Sequence, residues 1–523
     1  MTEVVHYRLR AVRVETQDIF RPAETGERVI PRLLNAAHAR TLTKTVMLEV
    51  FVHPGDLVDA SHAEELARNL RALGIFAEVE ATLVPTSVPG EADLVVRTRD
   101  RLTLAVGGGV SYVGGSAGFN ASVSEANLFG SGDRLAASFR QIDEGDFRGV
   151  GSFNDLHLFD TWMTGGLRLS RTDDGDGVGV EVARPFKHLR DPRSWRVGAS
   201  YDELAQEYYR LGEESGSVPL QRAAAEGEWG GLSGERFARA GFGVQARLTE
   251  VDYGAAEGEM ASELRVPGDT RSMFLGPSFR GRWISQFRTA TSIDTLGYVQ
   301  DIALATEVEL TAGCVLRDEE GRELEAQPAI EAHFGFAAEP AADWLLGCAT
   351  DGALRWGDAG LVGWRVAARA QSVRQWNEAH ALLGTVRFDS ADEDQDLPVQ
   401  YTLGADSGLR GYDARLFAGT RRLVMSAEER WSTGIELWAF HFGLAAFCDS
   451  GFTSDDPGLG RPYVGIGGGL RIGSAPLFGA TVLRMDVTSA LDHAQGNTDG
   501  VEFSLVVGQA FTFGGATRIP LLR

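Results

Sequence analysis

A membrane-crossing helix is missing from this sequence. Hydrophobic residues fill 43% of its 523 positions, yet no run approaches the roughly 18 to 20 apolar residues that such a helix needs. The longest candidate, Trp438 to Cys448, is too short and contains His441. Basic charge is also scarce. The 50 Lys and Arg face 73 Asp and Glu, for a formal net charge of −23. That balance argues against nucleic acid as a partner, because its binders carry basic patches. Cysteine is limited to Cys314, Cys348 and Cys448, too scattered for a metal cluster or a disulfide framework. The opening stretch, MTEVVHYRLRAVRVE, has neither the basic start nor the apolar core of a secretory signal. Taken literally it implies the cytoplasm, against the address derived below, so we expect a true start upstream that restores a signal.

Glycine, by contrast, is abundant. Its 64 residues exceed ordinary usage and sit inside alternating segments rather than in one linker. Up to about residue 98 the texture is mixed. Tyr7 to Val14 alternates and reads as a strand, and Val29 to Thr41 carries apolar residues at helical spacing. TVMLEVFVHPGD reads as a short strand ending at Pro54-Gly55. Asp59 to Gly74 is the strongest helix, with Ser61 as cap, Glu64 at the capping-box position and Gly74 as stop. FAEVEATLV and ADLVVRTRD then read as two strands.

From Leu102 onward the helical period almost vanishes. In the last segment Val501, Phe503, Leu505, Val507, Phe511 and Phe513 alternate with Glu502, Ser504, Val506, Gly508, Ala510 and Thr512. Leu444 and Ala446 likewise oppose Gly443, Ala445 and Asp449, and Val464, Ile466 and Leu470 oppose Gly465, Gly467 and Gly469. Between Arg422 and Trp431, Arg422, Val424, Ser426, Glu428 and Arg430 alternate with Leu423, Met425, Ala427, Glu429 and Trp431. A soluble sandwich or propeller alternates with its apolar face inward; a membrane barrel does so with that face outward, in segments near ten residues. The long segments, the polar faces rich in Arg, Asp, Glu and Gly, and the aromatics near segment ends favour the barrel. Lipid cannot hydrogen-bond an open sheet edge, so such a barrel must close.

Leu409-Arg410-Gly411-Tyr412 resembles the Arg-Gly-aromatic signature of the BamA/TamA-like bacterial surface antigen superfamily, outer-membrane barrels that assemble or translocate other proteins. Further segments are similar to that family's motifs in the expected order. EANLFGSGDRL (Glu125 to Leu135) matches the second strand, Arg184 to Phe186 the fifth, SAEERW the twelfth, FCDSGF the thirteenth, and GIGGGLRIGSAPLFGATVLRMDV the next hairpin. The N-terminal region is similar to one polypeptide-transport-associated (POTRA) domain. The resemblance implies a mainly β chain: an α+β POTRA domain over 6–99, a transmembrane antiparallel barrel over 101–513, and a tail over 514–523. It implies about sixteen strands, at about 26 residues per strand and connection.

In that family the signature lies on a loop folded back into the barrel. The resemblance therefore places Arg410 in the lumen, paired with carboxylates of the wall: Asp449 first, then Glu428 and Asp486. Gly411 would let the loop approach closely and Tyr412 would pack on the wall. The seam would join the first strand near Ala105 to the last near Val507, with Phe513 as the family's terminal aromatic residue. If that seam pairs weakly it opens to a client strand, while a POTRA edge near Thr45 to Val52 or Tyr7 to Val14 adds strands of unfolded polypeptide. Implied partners are unfolded outer-membrane or secreted polypeptides and the lipid bilayer; the resemblance names no accessory protein. The implied address is the bacterial outer membrane with the POTRA domain in the periplasm. Two alternatives stay open: a two-partner secretion or surface-display barrel passing one dedicated polypeptide, and a passive diffusion porin.

No enzyme, cofactor or metal is implied. Asp173, Asp174 and Asp176 suggest a calcium loop, but the fifth position is Val178 and no glutamate follows at the right distance. The acidic stretch Asp389 to Pro398 reads as an exposed loop. Gly107 to Gly109 and Gly467 to Gly469 lie in strands without the helix a nucleotide loop needs. GGSAG, with Ser116, is followed by a strand pattern, where a nucleophile elbow needs a helix.

Overall fold

The computed structural model describes residues 5–21, 29–113, 116–142, 146–290, 293–393, 396–455, 458, 460–478, 481–497, 501–507, 509 and 512–514. The N-terminal unit is a four-stranded sheet in the order β2-β1-β4-β3, built from β1 (Tyr7–Gln17), β2 (Leu57–Val58), β3 (Phe76–Pro85) and β4 (Glu91–Asp100). Three helices accompany it: α1 (Val29–Ala37), α2 (Thr43–Leu48) and α3 (Ala60–Ala72). Helix α3 buries Ala63, Leu66, Ala67 and Leu70 on one stripe, against Leu9, Ile75, Phe76, Leu94 and Val96 of the sheet side.

Three expectations for this unit change. The cap of α3 is Asp59, whose side chain accepts from Ser61 N at 2.9 Å. His62, not Glu64, returns the reciprocal bond to the Asp59 amide, at 3.3 Å. Thr45 begins no strand: α2 occupies Thr43–Leu48, with Thr45 and Val46 buried. Thr45 Oγ1 donates to the Gly130 carbonyl at 2.9 Å, so tertiary contact overrides the β-propensity of a Thr-Val pair. The candidate edge thus reduces to β1. That strand runs parallel to β4, and β2 covers its other side only at Tyr7 and Arg8. From Arg10 to Gln17 no described strand pairs with that side.

The remaining chain closes into an antiparallel barrel. It starts with short strands of 9 to 13 residues: β5 (Leu104–Val113), β6 (Ser116–Leu128), β7 (Asp133–Ile142), β8 (Asp146–Leu158), β9 (Met163–Thr172) and β10 (Asp176–Arg184). A taller arc follows: β11 (Arg193–Arg210), β12 (Glu213–Gly231), the stub β13 (Ser233–Glu235), β14 (Ala238–Tyr253), β15 (Thr270–Ala290) and β16 (Gln300–Glu319). It continues through β17 (Glu325–Ala341), β18 (Trp344–Gly357), β19 (Gly360–Gln375) and β20 (His380–Glu393). After a loop holding the small pair β21 (Tyr401–Leu403) and β22 (Phe417–Gly419), the wall resumes as β23 (Arg421–Leu437) and β24 (Phe440–Ser454). It shortens through β25 (Tyr463–Gly473) and β26 (Val482–Ala490) to β27 (Val501–Val507), seven residues long, which closes against β5. The helical turn α4 (Ala475–Phe478) links β25 to β26.

The expected sixteen strands are too few. Because β12 pairs directly with β14 beside the stub β13, the wall among the described residues is twenty strands round. Many turns are tight, such as Leu211-Gly212 between β11 and β12, so each strand and turn takes fewer residues than the estimate allowed. The family-motif positions move accordingly. Arg184 ends the sixth wall strand rather than the fifth, and SAEERW lies in the sixteenth rather than the twelfth.

The outward parity is apolar. Val501, Phe503 and Leu505 of β27 are exposed, with Phe503 at 70%, while Glu502 and Ser504 are half-buried. Phe513 does not end the last strand. It is buried with Ile293, Leu304, Leu345, Val373 and Leu383, and its amide donates to Asp294 Oδ2 at 2.9 Å. Lipid exposure of that ring is given up for this apolar cluster, fixed further by Gln371 Nε2 donating to the Thr512 carbonyl at 2.6 Å. Phe511 and residues 515–523 of the tail lie outside the described residues, as does the Val507 side chain.

Candidate functional site

The site is assembled by antiparallel register. Cross-strand partners on β23 to β26 fall in level rows: Ser426–Asp449–Gly465, then Glu428–Phe447–Gly467, then Arg430–Ala445–Gly469–Asp486. The even positions of β23 and the odd positions of β24 and β25 point inward, so these rows stack into one polar patch on the lumenal wall. Three successive inward glycines on β25 leave the patch hollow.

Into that hollow comes the loop between β20 and β23. A 3₁₀ turn at Ala405–Ser407 leads to Gly408 and then Gly411, at φ +105° and +91°, a left-handed conformation that favours glycine. A Cβ at Gly411 would stand 2.8 Å from the Ser489 carbonyl carbon of β26, and one at Gly465 would strike the Arg410 carbonyl. The loop thus lies directly on the wall backbone. Its own apolar core is Leu403, Leu409, Tyr412 and Leu416 against Val424. Tyr412 Oη donates to the Val464 carbonyl at 3.1 Å and accepts from the Val464 amide at 3.2 Å.

Arg410 is only 6% exposed. Its guanidinium forks onto Asp449, with Nε to Oδ2 at 2.6 Å and Nη2 to Oδ1 at 2.9 Å. Nη1 donates to Glu428 Oε2 at 2.8 Å and lies 3.8 Å from Asp486 Oδ2. Beneath it, Cζ sits 3.3 Å from the centroid of Phe447. Planar bidentate pairing over an aromatic face suits arginine and no other cation. Ser426 Oγ donates to Asp449 Oδ1 at 2.6 Å. Glu428 also takes Arg430 Nε at 2.9 Å, and Arg430 Nη1 reaches Asp294 at 3.1 Å. Asp486 takes Arg471 and Arg484. Four guanidinium groups thus meet four carboxylates, so the buried network is neutral as a whole.

The structure brings Leu409, Arg410, Gly411 and Tyr412 together with Asp449, Glu428 and Asp486. Ala105 and Val507 lie elsewhere, on the two strands of the seam, β5 and β27; Phe513 lies apart from both. Sequence reasoning missed Phe447, Arg471 and Asp294, and gave no role to Ser426 and Arg430 on the polar face of β23 or to Arg484 beside Asp486. The parity of β24 carried a signal for Phe447, since it shares a face with Asp449. The acidic stretch is also more than a loop: Asp389 is buried on Arg422, and Asp396 bridges Arg317 at 2.7 Å and Arg355 at 2.6 Å. Ser116 opens β6, and no helix follows it.

No family model matches the chain. The outer membrane protein assembly factor BamA of Nitratidesulfovibrio vulgaris is 31% identical over 104 residues, which is 20% of this chain and 13% of that protein. That stretch of the chain resembles BamA. Among solved structures, BamA from Haemophilus ducreyi lacking POTRA domains 1–3 overlaps at a TM-score of 0.41 and 11% identity, over 96% of this chain and 84% of that one. CdiB from Escherichia coli overlaps at 0.44 and 11% identity, over 96% of this chain and 76% of that one.

Proposed function

We propose that this chain is a BamA-like outer-membrane barrel that inserts or translocates other polypeptides, without chemistry of its own. The observation that carries the reading is the Arg410 loop, clamped onto the wall strands next to a seam closed by β27, the shortest spanning strand among the described residues. A membrane strand needs roughly 9 to 11 residues when tilted, and β27 has seven described ones. Its pairing with β5 is the weakest place for the wall to part, and the clamp stiffens β23 to β26 so that opening is confined to that place. The N-terminal unit acts as a POTRA-like domain on the periplasmic side. The β1 edge from Arg10 to Gln17 receives client strands through main-chain hydrogen bonds that do not depend on client sequence.

The test is reconstitution. The full chain in proteoliposomes should speed the folding of an unfolded outer-membrane barrel into the bilayer over empty liposomes, and Arg410→Ala should abolish the gain. No acceleration by the intact protein would overturn the reading.

An open lumenal arc favours a second reading, dedicated secretion. On β7, Arg134, Ser138 and Arg140 are exposed on the face opposite Leu135, and Arg168 of β9 is exposed as well. A polypeptide passing along this arc would leave the seam shut.

A further inference from the structure

We propose that α1 and the turn tips beside it are an interfacial anchor, lying in the leaflet on the N-terminal side beneath the seam and binding anionic phospholipid. The inference rests on reading the wall as a membrane barrel. Helix α1 exposes Val29 at 67%, Ile30 at 61% and Leu33 at 62%, with Ala36 exposed on the same arc. At 100° per residue these four span about a third of the helix circumference. The opposite side is fixed to protein: Pro31 is buried, and Asn35 bonds the Phe20 amide at 3.0 Å and the Phe20 carbonyl at 2.8 Å.

These ties locate the helix. Phe20 stacks on Trp438, at the turn between β23 and β24, with centroids 5.6 Å apart. Beyond α1, His38 meets Asp100 at 2.8 Å, just ahead of β5. Leu42 N then donates to the Gly130 carbonyl at 3.0 Å, in the turn between β6 and β7. Between those two turns the wall order is β24-β25-β26-β27-β5-β6. The helix is therefore held at the rim under the seam.

Two features choose lipid as the occupant. The apolar face continues into the lipid-facing band: Phe129 and Phe159, each 81% exposed at positive φ, tip outward from the neighbouring turns, and Leu104 and Val106 begin the band on β5. A bulky residue in that conformation is uncommon. The rim of the face is also cationic in a chain of net charge −23. Arg32 and Arg40 are exposed and make no ion pair among the described residues, while Lys44 is paired with Asp160 at 2.6 Å. An apolar helix face with basic flanks is the pattern that lies in an anionic interface.

The experiment uses the full chain with its three cysteines replaced, reconstituted in phosphatidylcholine–phosphatidylglycerol vesicles. A spin label is placed at Leu33→Cys, at Phe503→Cys on the lipid face, or at Gln17→Cys in water. Collisions with oxygen and with a soluble nickel chelate are measured. The account expects the Leu33 label to show several-fold less nickel collision than Gln17 while keeping high oxygen collision, with the contrast shrinking in pure phosphatidylcholine. Nickel collision equal to that at Gln17 overturns the anchor. So does a Leu33 label shielded from both agents, which would mean that polypeptide covers the face. A Phe503 label that stays in water overturns the barrel reading itself, and the anchor with it.

Discussion

Arg410 holds together a buried site whose parts cannot be removed singly without leaving charge behind. Arg410→Ala strands the buried Asp449, while Glu428 keeps Arg430; such a loss costs roughly 3 to 5 kcal/mol for a well-buried pair and less where lumenal water enters. We expect a lower midpoint of heat-induced unfolding on gels, a similar defect for Asp449→Asn, and a double variant milder than the sum because one interaction is removed twice. Strict additivity would remove the pairing from the account. Arg410→Lys should rescue only in part, since an ammonium cannot fork onto Asp449 while lying flat on Phe447. A second residue-scale test is steric. Gly465→Ala drives a methyl into the Arg410 carbonyl, and overpacking of that kind costs on the order of 1 to 3 kcal/mol. It should leave the loop open to protease, whereas Gly352→Ala, with nothing closer than 3.7 Å, should not. The arginine and its acids were legible in the sequence because both the motif and the strand parity show there. Arg484 was legible too, two positions from Asp486 on one strand; Arg471 was not, because its meeting with Asp486 depends on the register between β25 and β26.

The elements divide the molecule into a braced side and a weak side. The wall strands from β11 to β24 run 14 to 21 residues apart from the stub β13, the loop pair β21 and β22 standing outside the wall, while β25 to β27 shrink from 11 to 7 described residues. On β27, Phe503→Arg should cost roughly 2 to 4 kcal/mol at mid-membrane depth, and Ser504→Arg less because it faces inward. Unfolding from vesicles measures both, and equal penalties would contradict the assigned faces. Alternation made these faces readable from Leu102 onward, since a one-residue error would reverse every side chain. Strand number was not readable, because the turns are shorter than the average connection assumed. The helix at Thr43–Leu48 was hidden for another reason: its Val-Met-Leu run suits a strand equally well, and what decides is its burial between the sheet and the Gly130 turn.

At the scale of the whole molecule, the N-terminal unit is fastened to the barrel mouth by buried polar contacts. Glu49 on the segment after α2 meets His157 at 2.8 Å and Lys187 at 3.0 Å. Arg71 forks onto Asp301, and Arg236 Nε meets Glu65 at 3.0 Å. Burial alone pushes the Glu49 carboxyl up, but the His157 hydrogen bond and the Lys187 ammonium outweigh it and hold the group below its ordinary 4.5. A depressed carboxylate stabilises above its unfolded value, and that contribution is lost as pH falls through the folded value. Docking should therefore loosen below about pH 4.5, read as faster hydrogen exchange in α2. Glu49→Gln should be looser at neutral pH and lose most of that pH response; an unchanged response would assign it to other groups.

The seam is where the whole account can fail. Ala105→Cys and Val507→Cys, in a background with Cys314, Cys348 and Cys448 replaced, would tie β5 to β27, with neighbouring pairs tried if the spacing forbids a disulfide. The measurement is the rate at which the reconstituted protein folds an unfolded outer-membrane barrel into vesicles, oxidised and then reduced. The account predicts that the locked barrel loses the activity and that reduction restores it. Full activity with the seam locked would contradict it and leave the lumen as the route.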